Sequence, residues 1–222
     1  MLFMEMLLYP FPTVNFSNNT SILLDASFLL SLVYDDDIKH PQCVEALKKI
    51  LIGKCRLYVT NIISAEVLNQ IMYKIFIMDI RHKIDKCNPF NSETNIRNIL
   101  SCFNKYDRKI IKDKRQDKLR EIPYKKYFDN LSKNSLKRHL LKVYYKTAVT
   151  MHNQLENTLK FNYVEINKQC MSRTKELMTK DLLSINDATH LAVCENYNIN
   201  YLLTLDGDFI YAENSKVNVL KV

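Results

Sequence analysis

The sequence predicts an α/β fold in which a central parallel sheet of four or five strands is covered by helices on both faces. The first observation is that short apolar segments alternate with helical segments at both ends of the chain. The second is that a long polar middle region has no strand-like run. Together they predict one α/β domain with a helical insertion.

The strands are predicted from short apolar runs bounded by polar residues. Residues 21–25, with the sequence SILLD, and residues 56–60, with the sequence RLYVT, have the pattern of buried parallel strands. Residues 161–166 and 201–205 give a third and a fourth strand, and residues 217–222 are a candidate fifth.

The helices are predicted from longer periodic segments. Ser64 and Ser184 each precede such a segment and are predicted as N-caps. We predict helices over residues 41–51, 65–78, 169–179 and 185–197.

The charge distribution separates the middle of the chain from the rest. Residues 105–146 hold 15 basic and five acidic residues, a net charge of +10, whereas the remainder is slightly acidic at −2. We therefore predict an N-terminal extension at residues 1–20 and an α/β domain over residues 21–222. A basic helical insertion at residues 79–160 interrupts that domain.

Composition excludes several classes of function. The chain has 222 residues and only two glycines, Gly53 and Gly207, where average usage of roughly 7% would give about 15. Glycine-rich phosphate and dinucleotide loops are therefore excluded.

The six cysteines lack zinc-site spacing and are predicted to be reduced thiols in the cytoplasm. We expect no membrane span, since no apolar run reaches about 18 residues. The apolar start lacks the basic residues of a signal peptide.

Four acids fall where the predicted strands and helices meet. Asp25 closes the first strand, and Glu66 lies in the first turn of the helix after the second. Asp206 directly follows the fourth strand, and Asp187 begins the helix before it. Carboxyl ends of parallel strands share one edge of the sheet, where ligands bind. We expect the acids to converge there, although the position of Asp187 depends on the topology.

Converging carboxylates repel one another unless a cation neutralises them. Hard oxygen ligands select Mg²⁺ or Mn²⁺. Such ions bridge phosphate oxygens and lower the pKa of an attacking water. The pattern therefore predicts metal-dependent hydrolysis of phosphodiester bonds.

These motifs resemble those of the PIN-domain ribonucleases, a family that includes the VapC-type toxins of toxin–antitoxin pairs. The motifs are LLDASFLL with Asp25 and Ser27, ISAEVL with Glu66, INDATHLAV with Asp187, and LLTLDGDF with Thr204, Asp206 and Asp208. The resemblance covers roughly residues 21–78 and 161–222. Glu66 and Asp187 are 121 positions apart, which is more than a minimal domain of this family needs.

The resemblance implies a three-layer α/β/α fold and Mg²⁺- or Mn²⁺-dependent cleavage of RNA. It assigns metal binding and catalysis to four acids, with Asp208 as an auxiliary metal ligand and Ser27 and Thr204 as hydrogen-bonding supports. It also implies RNA as substrate, with an antitoxin and a second copy of the chain as candidate partners. The four acids are Asp25, Glu66, Asp187 and Asp206.

Each acid also has a purely structural explanation. Asp25 favours a turn, and Glu66 suits the dipole of a helix start. Asp187 completes a capping box with Ser184, and Asp206 precedes a glycine, as in many turns. Two other functions stay open, a non-catalytic RNA- or protein-binding module and a nuclease that acts on DNA.

The insertion carries the candidate RNA contacts. Lysine and arginine runs bind nucleic-acid phosphates, and interleaved aromatic rings can stack on bases. A solvated helical face, or a contact for an acidic protein, would show the same composition. The candidate basic residues are Lys112, Lys114, Arg115, Lys125, Lys126, Lys137 and Arg138; the candidate aromatic residues are Tyr106, Tyr124, Tyr127, Phe128, Tyr144 and Tyr145.

Overall fold

A single parallel sheet of six strands organises the ends of the chain. The computed structural model of the protein describes residues 4–85, 90–113, 115 and 117–222. The strands follow the order β1-β6-β5-β2-β3-β4, and every neighbouring pair is parallel. They are β1 (Met6–Leu8), β2 (Ser21–Leu24), β3 (Arg56–Thr60), β4 (Asn162–Val164), β5 (Tyr201–Thr204) and β6 (Asn218–Lys221).

Helices connect these strands and fill the middle of the chain. They are α1 (Ala26–Val33), α2 (His40–Ile52), α3 (Asn61–Asp85), α4 (Glu93–Leu100), α5 (Lys105–Lys112), α6 (Tyr124–Lys133), α7 (Lys142–Leu159), α8 (Lys168–Asp181) and α9 (Ile185–Asn196). Short 3₁₀ helices lie at Leu119–Glu121, Arg138–Leu141 and Asp208–Tyr211.

The predicted α/β class is confirmed, and the sheet has one strand more than the upper limit of the prediction. The additional strand is β1, which lies in the segment predicted as an N-terminal extension and pairs with β6 at the edge of the sheet. Its three residues are too few for a periodicity to be recognised, and its pairing depends on a strand more than 200 residues away.

The central strands are buried on both faces. All four residues of β2 are buried, and successive strand residues point to opposite faces. Helices must therefore cover this part of the sheet on both sides. The register pairs Leu24 with Leu203 and Thr204 with Lys221, so the carboxyl ends of β2, β5 and β6 lie at one edge.

One predicted helix cap is confirmed and the other is wrong. The Ser184 hydroxyl accepts a hydrogen bond from the Asp187 amide and caps α9. Helix α3 begins at Asn61 instead of residue 65, and Thr60 supplies its cap by accepting from the Ile63 amide at 3.1 Å. The threonine at the end of β3 offers a hydroxyl one turn before the predicted start.

The chain divides into two compact units. One comprises Met1–Val67 with Leu155–Val222 and contains the sheet. The other, Leu68–Gln154, is helical and overlaps most of the predicted insertion. The core of this second unit is aromatic, because the Phe76 ring makes edge contacts with Phe128 and Tyr144.

Buried carboxylates complete the core of the second unit. The Tyr144 hydroxyl donates to Asp79 at 2.5 Å, and both residues are fully buried. The Tyr127 hydroxyl donates to Asp107 at 2.6 Å. These partners replace the water that the carboxylates lose on burial.

No helix in the described part of the chain combines the length and the apolar character needed to cross a bilayer. The described cysteines form no disulfide with one another, and Cys87 lies outside the described residues.

Candidate functional site

Asp25 is the most firmly held acid of the predicted site. It follows β2 and is the N-cap of α1, and only 9% of its surface is exposed. One carboxylate oxygen accepts from the Ala26 amide at 2.7 Å. The other accepts from the hydroxyls of Ser27 at 2.5 Å and Thr204 at 2.7 Å. The carboxylate is therefore fixed in orientation at the edge where the strands end.

Ser27 and Thr204 tie the end of β2 to the end of β5. Their oxygens are 3.3 Å apart, but each has one proton, and both protons can be donated to Asp25. Each hydroxyl also accepts a backbone hydrogen bond, Ser27 from the Leu205 amide and Thr204 from the Asp206 amide. The two side chains thereby couple the position of Asp25 to the segment that carries Asp206.

Asp187 lies in the first turn of α9, half-buried. Its carboxylate accepts from the Ser184 hydroxyl at 2.6 Å. Burial raises the pKa of Asp187 above its usual value, and the hydrogen bond from Ser184 opposes this. Repulsion from Asp206 and Asp25 also raises that pKa, and His190 lowers it. The two acids and the histidine therefore act electrostatically on Asp187.

Asp206 and Asp208 lie in an exposed turn after β5. The Asp206 carboxylate accepts from the Asp208 amide at 2.9 Å, which shapes the start of the 3₁₀ helix Asp208–Tyr211. Both side chains are exposed. They are therefore accessible to a ligand from solvent.

Two further residues belong to this edge. The His190 Nε2 atom lies 3.6 Å from Asp25, and its buried Nδ1 atom has no hydrogen-bond partner among the described residues. The Lys221 ammonium lies 2.6 Å from the position that a β-carbon on Gly207 would take. His190 lies within the INDATHLAV motif, but no sequence motif pointed to Lys221. The candidate strand at residues 217–222 was the signal that could have identified Lys221, because it pairs in parallel with the strand that precedes Asp206.

Glu66 lies one turn further along its helix than predicted. Since α3 begins at Asn61, Glu66 lies in the second turn of the helix and not in the first, where it was predicted. It is half-buried and, among the described residues, makes no hydrogen bond or ion pair. The two acids named as raising the pKa of Asp187 are Asp206 and Asp25. The structure thus brings together Asp25, Asp187 and Asp206, and the role of Glu66 as a metal ligand stays a prediction.

The donor chemistry of this edge fits a hard divalent cation. Three carboxylates lie there with only partial compensation by a histidine and a lysine, and carboxylate oxygens are the ligands that Mg²⁺ and Mn²⁺ prefer. Across the described residues, however, no set of three or more potential ligands has the spacing of a formed metal site. The residues therefore match the cation in chemistry without forming a coordination shell.

The candidate RNA-binding residues divide into exposed cations and buried rings. Five of the basic residues are exposed and Lys137 is half-buried, whereas Lys114 lies outside the described residues. The prediction that six aromatic residues stack on bases is wrong for four of them, which form the core of the second unit. The buried four are Tyr124, Tyr127, Phe128 and Tyr144, and the exposed two are Tyr106 and Tyr145.

A comparison with protein-family models agrees with the two carboxyl-terminal motifs. Residues 136–214 match the model of the PIN domain family, a segment that includes Asp187, Asp206 and Asp208. No curated protein matches the sequence significantly. Among solved structures, the chain is similar to Mycobacterium tuberculosis VapC20, described as a sarcin–ricin loop cleaving toxin. The two are 14% identical, with a TM-score of 0.45, and the alignment covers 89% of this chain and 98% of VapC20. The match over residues 136–214 confirms the resemblance to the PIN domain family that the sequence motifs predict.

Proposed function

We propose that the chain is an endoribonuclease that uses Mg²⁺ or Mn²⁺ to hydrolyse phosphodiester bonds of single-stranded or structured RNA. The observation that carries the proposal is the oriented carboxylate of Asp25 at the edge that also holds Asp187 and Asp206. The match of residues 136–214 to the PIN domain family supports the same function.

Asp25, Asp187 and Asp206 would hold the cation in this proposal, with Glu66 and Asp208 as further ligands. When bound, a divalent cation supplies charge neutralisation, a polarised phosphate oxygen and a more acidic attacking water. Ser27 and Thr204 would keep the Asp25 carboxylate in place by donating to the same oxygen.

The proposed partners follow from the toxin-like resemblance. RNA is the substrate, an antitoxin protein is the inhibitor, a second copy of the chain is a candidate partner, and the cytoplasm is the compartment. The six described basic residues of the candidate set would contact RNA phosphates. Phosphate contacts of this kind make binding strongly dependent on salt.

A non-catalytic RNA- or protein-binding module is the second candidate. It is favoured by the lack, among the described residues, of a formed metal-ligand set. A module of this kind would bind its partner without any requirement for a divalent cation.

Cleavage assays separate these functions. Protein freed of any co-purified partner by refolding is incubated with Mn²⁺ and a mixture of structured and single-stranded RNA, with single-stranded DNA in parallel. We expect RNA cleavage by the wild type, and a loss of at least 100-fold in Asp25→Asn and Asp187→Asn. The matched control is Asp36→Asn, which removes an exposed acid that lies beyond the carboxyl-terminal end of α1, whereas Asp25 caps the amino-terminal end of the same helix.

Three results would contradict the proposal. Absence of RNA cleavage by the refolded wild type would favour the binding module. Cleavage confined to DNA would assign the site to a different substrate. Full activity in Asp25→Asn, with Asp36→Asn unchanged, would show that the chemistry does not use this carboxylate.

A further inference from the structure

A cavity of about 350 Å³ lies within the helical second unit, between the end of α6 and the start of α7. Its volume is in the lower part of the range of about 300–1,000 Å³ that small-molecule sites occupy. Six residues line it, and none of them is acidic. They are Ser132, Arg138, His139, Leu141, Lys142 and Tyr145.

The cavity has uncompensated positive charge. Arg138 and Lys142 are both exposed, and in the described part of the chain neither forms an ion pair with an acid. The neighbouring Lys137 is different, since its ammonium lies 3.4 Å from the Ser101 hydroxyl and 3.3 Å from the Cys102 sulfur. The guanidinium and the ammonium that line the cavity are therefore available to an anion.

The cavity also has an exposed aromatic ring. Tyr145 is 47% exposed, whereas four of the six aromatic residues between Tyr106 and Tyr145 are buried. One side of its ring faces Phe128, with centroids 6.0 Å apart and planes inclined by 28°. A ring supported in this way can stack on a planar ligand at little cost in side-chain entropy.

We propose that this cavity binds one nucleotide of single-stranded RNA, with the base on Tyr145 and the phosphate between Arg138 and Lys142. The combination of an aromatic ring and two cations matches a nucleotide, which has both a planar base and a phosphate. The choice of RNA among polyanions rests on the proposed function. Recognition is expected to tolerate different bases, because every base has a face that can stack.

The first test measures binding of 5′-fluorescein-labelled dodecauridylate by anisotropy in EDTA, where cleavage is suppressed. Arg138→Gln with Lys142→Gln is expected to weaken binding at least tenfold. The matched control, Lys105→Gln with Lys109→Gln, removes two exposed charges of the same unit outside the cavity and should stay within about twofold. The slope of log affinity against log salt should fall by about 0.7 in the first variant only, since the proposal places one phosphate between the two cations and each neutralised phosphate contributes about 0.7.

The second test addresses stacking without changing charge. Tyr145→Leu is expected to weaken binding about fivefold or more, the lower limit for one stacked base. The control Tyr106→Leu removes another exposed ring of the unit and should stay within about twofold. Tyr145→Leu also keeps the proposal testable if the double charge variant is unstable.

Three outcomes would overturn the cavity proposal. Equal losses in the two charge variants would indicate diffuse electrostatic attraction. No effect of Tyr145→Leu would remove the base-stacking role. Binding of a polyglutamate peptide, but not of dodecauridylate, would assign the cavity to an acidic protein. Because these measurements need no cleavage, RNA binding in the cavity without Mn²⁺-dependent cleavage would contradict only the proposed nuclease function.

Discussion

Replacing Thr204 with valine tests the hydrogen bonds that hold the central carboxylate. Thr204 is fully buried, and valine has nearly the same shape. The substitution removes the donor to Asp25 at 2.7 Å and the acceptor for the Asp206 amide at 3.0 Å. Ser27 and the Ala26 amide still bind the Asp25 carboxylate.

The expected loss of stability comes mainly from the hydrogen bond to the ionised Asp25 carboxylate. A hydrogen bond to an ionised group contributes about 1.5–3 kcal/mol, and a neutral one contributes about 1 kcal/mol. Asp206 is exposed, so water can satisfy its amide and adds little to the loss. The free energy of unfolding should therefore fall by about 2 kcal/mol, which lowers Tm by about 4–8 °C in a chain of this size.

Thermal melting at pH 7 measures this effect against a matched substitution. Thr174 is equally buried, and its hydroxyl donates to the neutral carbonyl of Cys170 at 2.8 Å, so Thr174→Val should cost only about 1 kcal/mol. RNA cleavage should fall at least tenfold in Thr204→Val and remain near wild type in Thr174→Val. Equal loss of stability in the two variants, or unchanged cleavage in Thr204→Val, would refute the assignment.

Three further predictions concern other buried or charged groups. The folded state raises the pKa of Asp187, so its ionisation destabilises the protein as pH rises above 3.8, the usual pKa of this side chain. Without metal, Asp187→Asn should therefore raise Tm at pH 7, and the gain should shrink towards pH 4. Arg173→Lys breaks the bidentate hydrogen bonds that the guanidinium donates to the Glu195 carboxylate at 2.6 and 3.2 Å. It should lower the midpoint of urea unfolding by the equivalent of about 1 kcal/mol. Tyr144→Phe removes the donor to buried Asp79 and should cost about 2–3 kcal/mol in the same titration; an unchanged midpoint in either variant would contradict its hydrogen-bond assignment.

The strands were predictable because their signal is local. Ile22, Leu23 and Leu24 form an apolar run that ends on an acid, and both faces of this strand are buried. The short edge strand β1 was missed, since it exists through pairing with β6. The same limit applies to the cap of α3, because the sequence does not say whether Thr60 or Ser64 faces the free amides of the first turn.

The site was predictable in type more than in arrangement. Sequence position placed Asp25 and Asp206 directly after predicted strands. The structure shows that these strands are neighbours and joins the two acids through Ser27 and Thr204. The surroundings of Glu66 depend on where its helix begins, which local patterns did not establish.

The aromatic residues of the second unit show another limit of sequence reasoning. Tyr144 and Tyr145 are adjacent and chemically identical, yet one is fully buried and the other is 47% exposed. Their helix turns about 100° from one residue to the next, so only the packing around α7 decides which ring is free to meet a ligand.

Calorimetric titration with Mn²⁺ tests the metal-binding carboxylate cluster most directly. We predict saturable binding to the wild type and to the Asp36→Asn control, with at least tenfold weaker binding in Asp25→Asn and in Asp187→Asn. Absence of Mn²⁺ binding to the refolded wild type, or equal affinity in all four proteins, would contradict the assignment of this edge as a metal site.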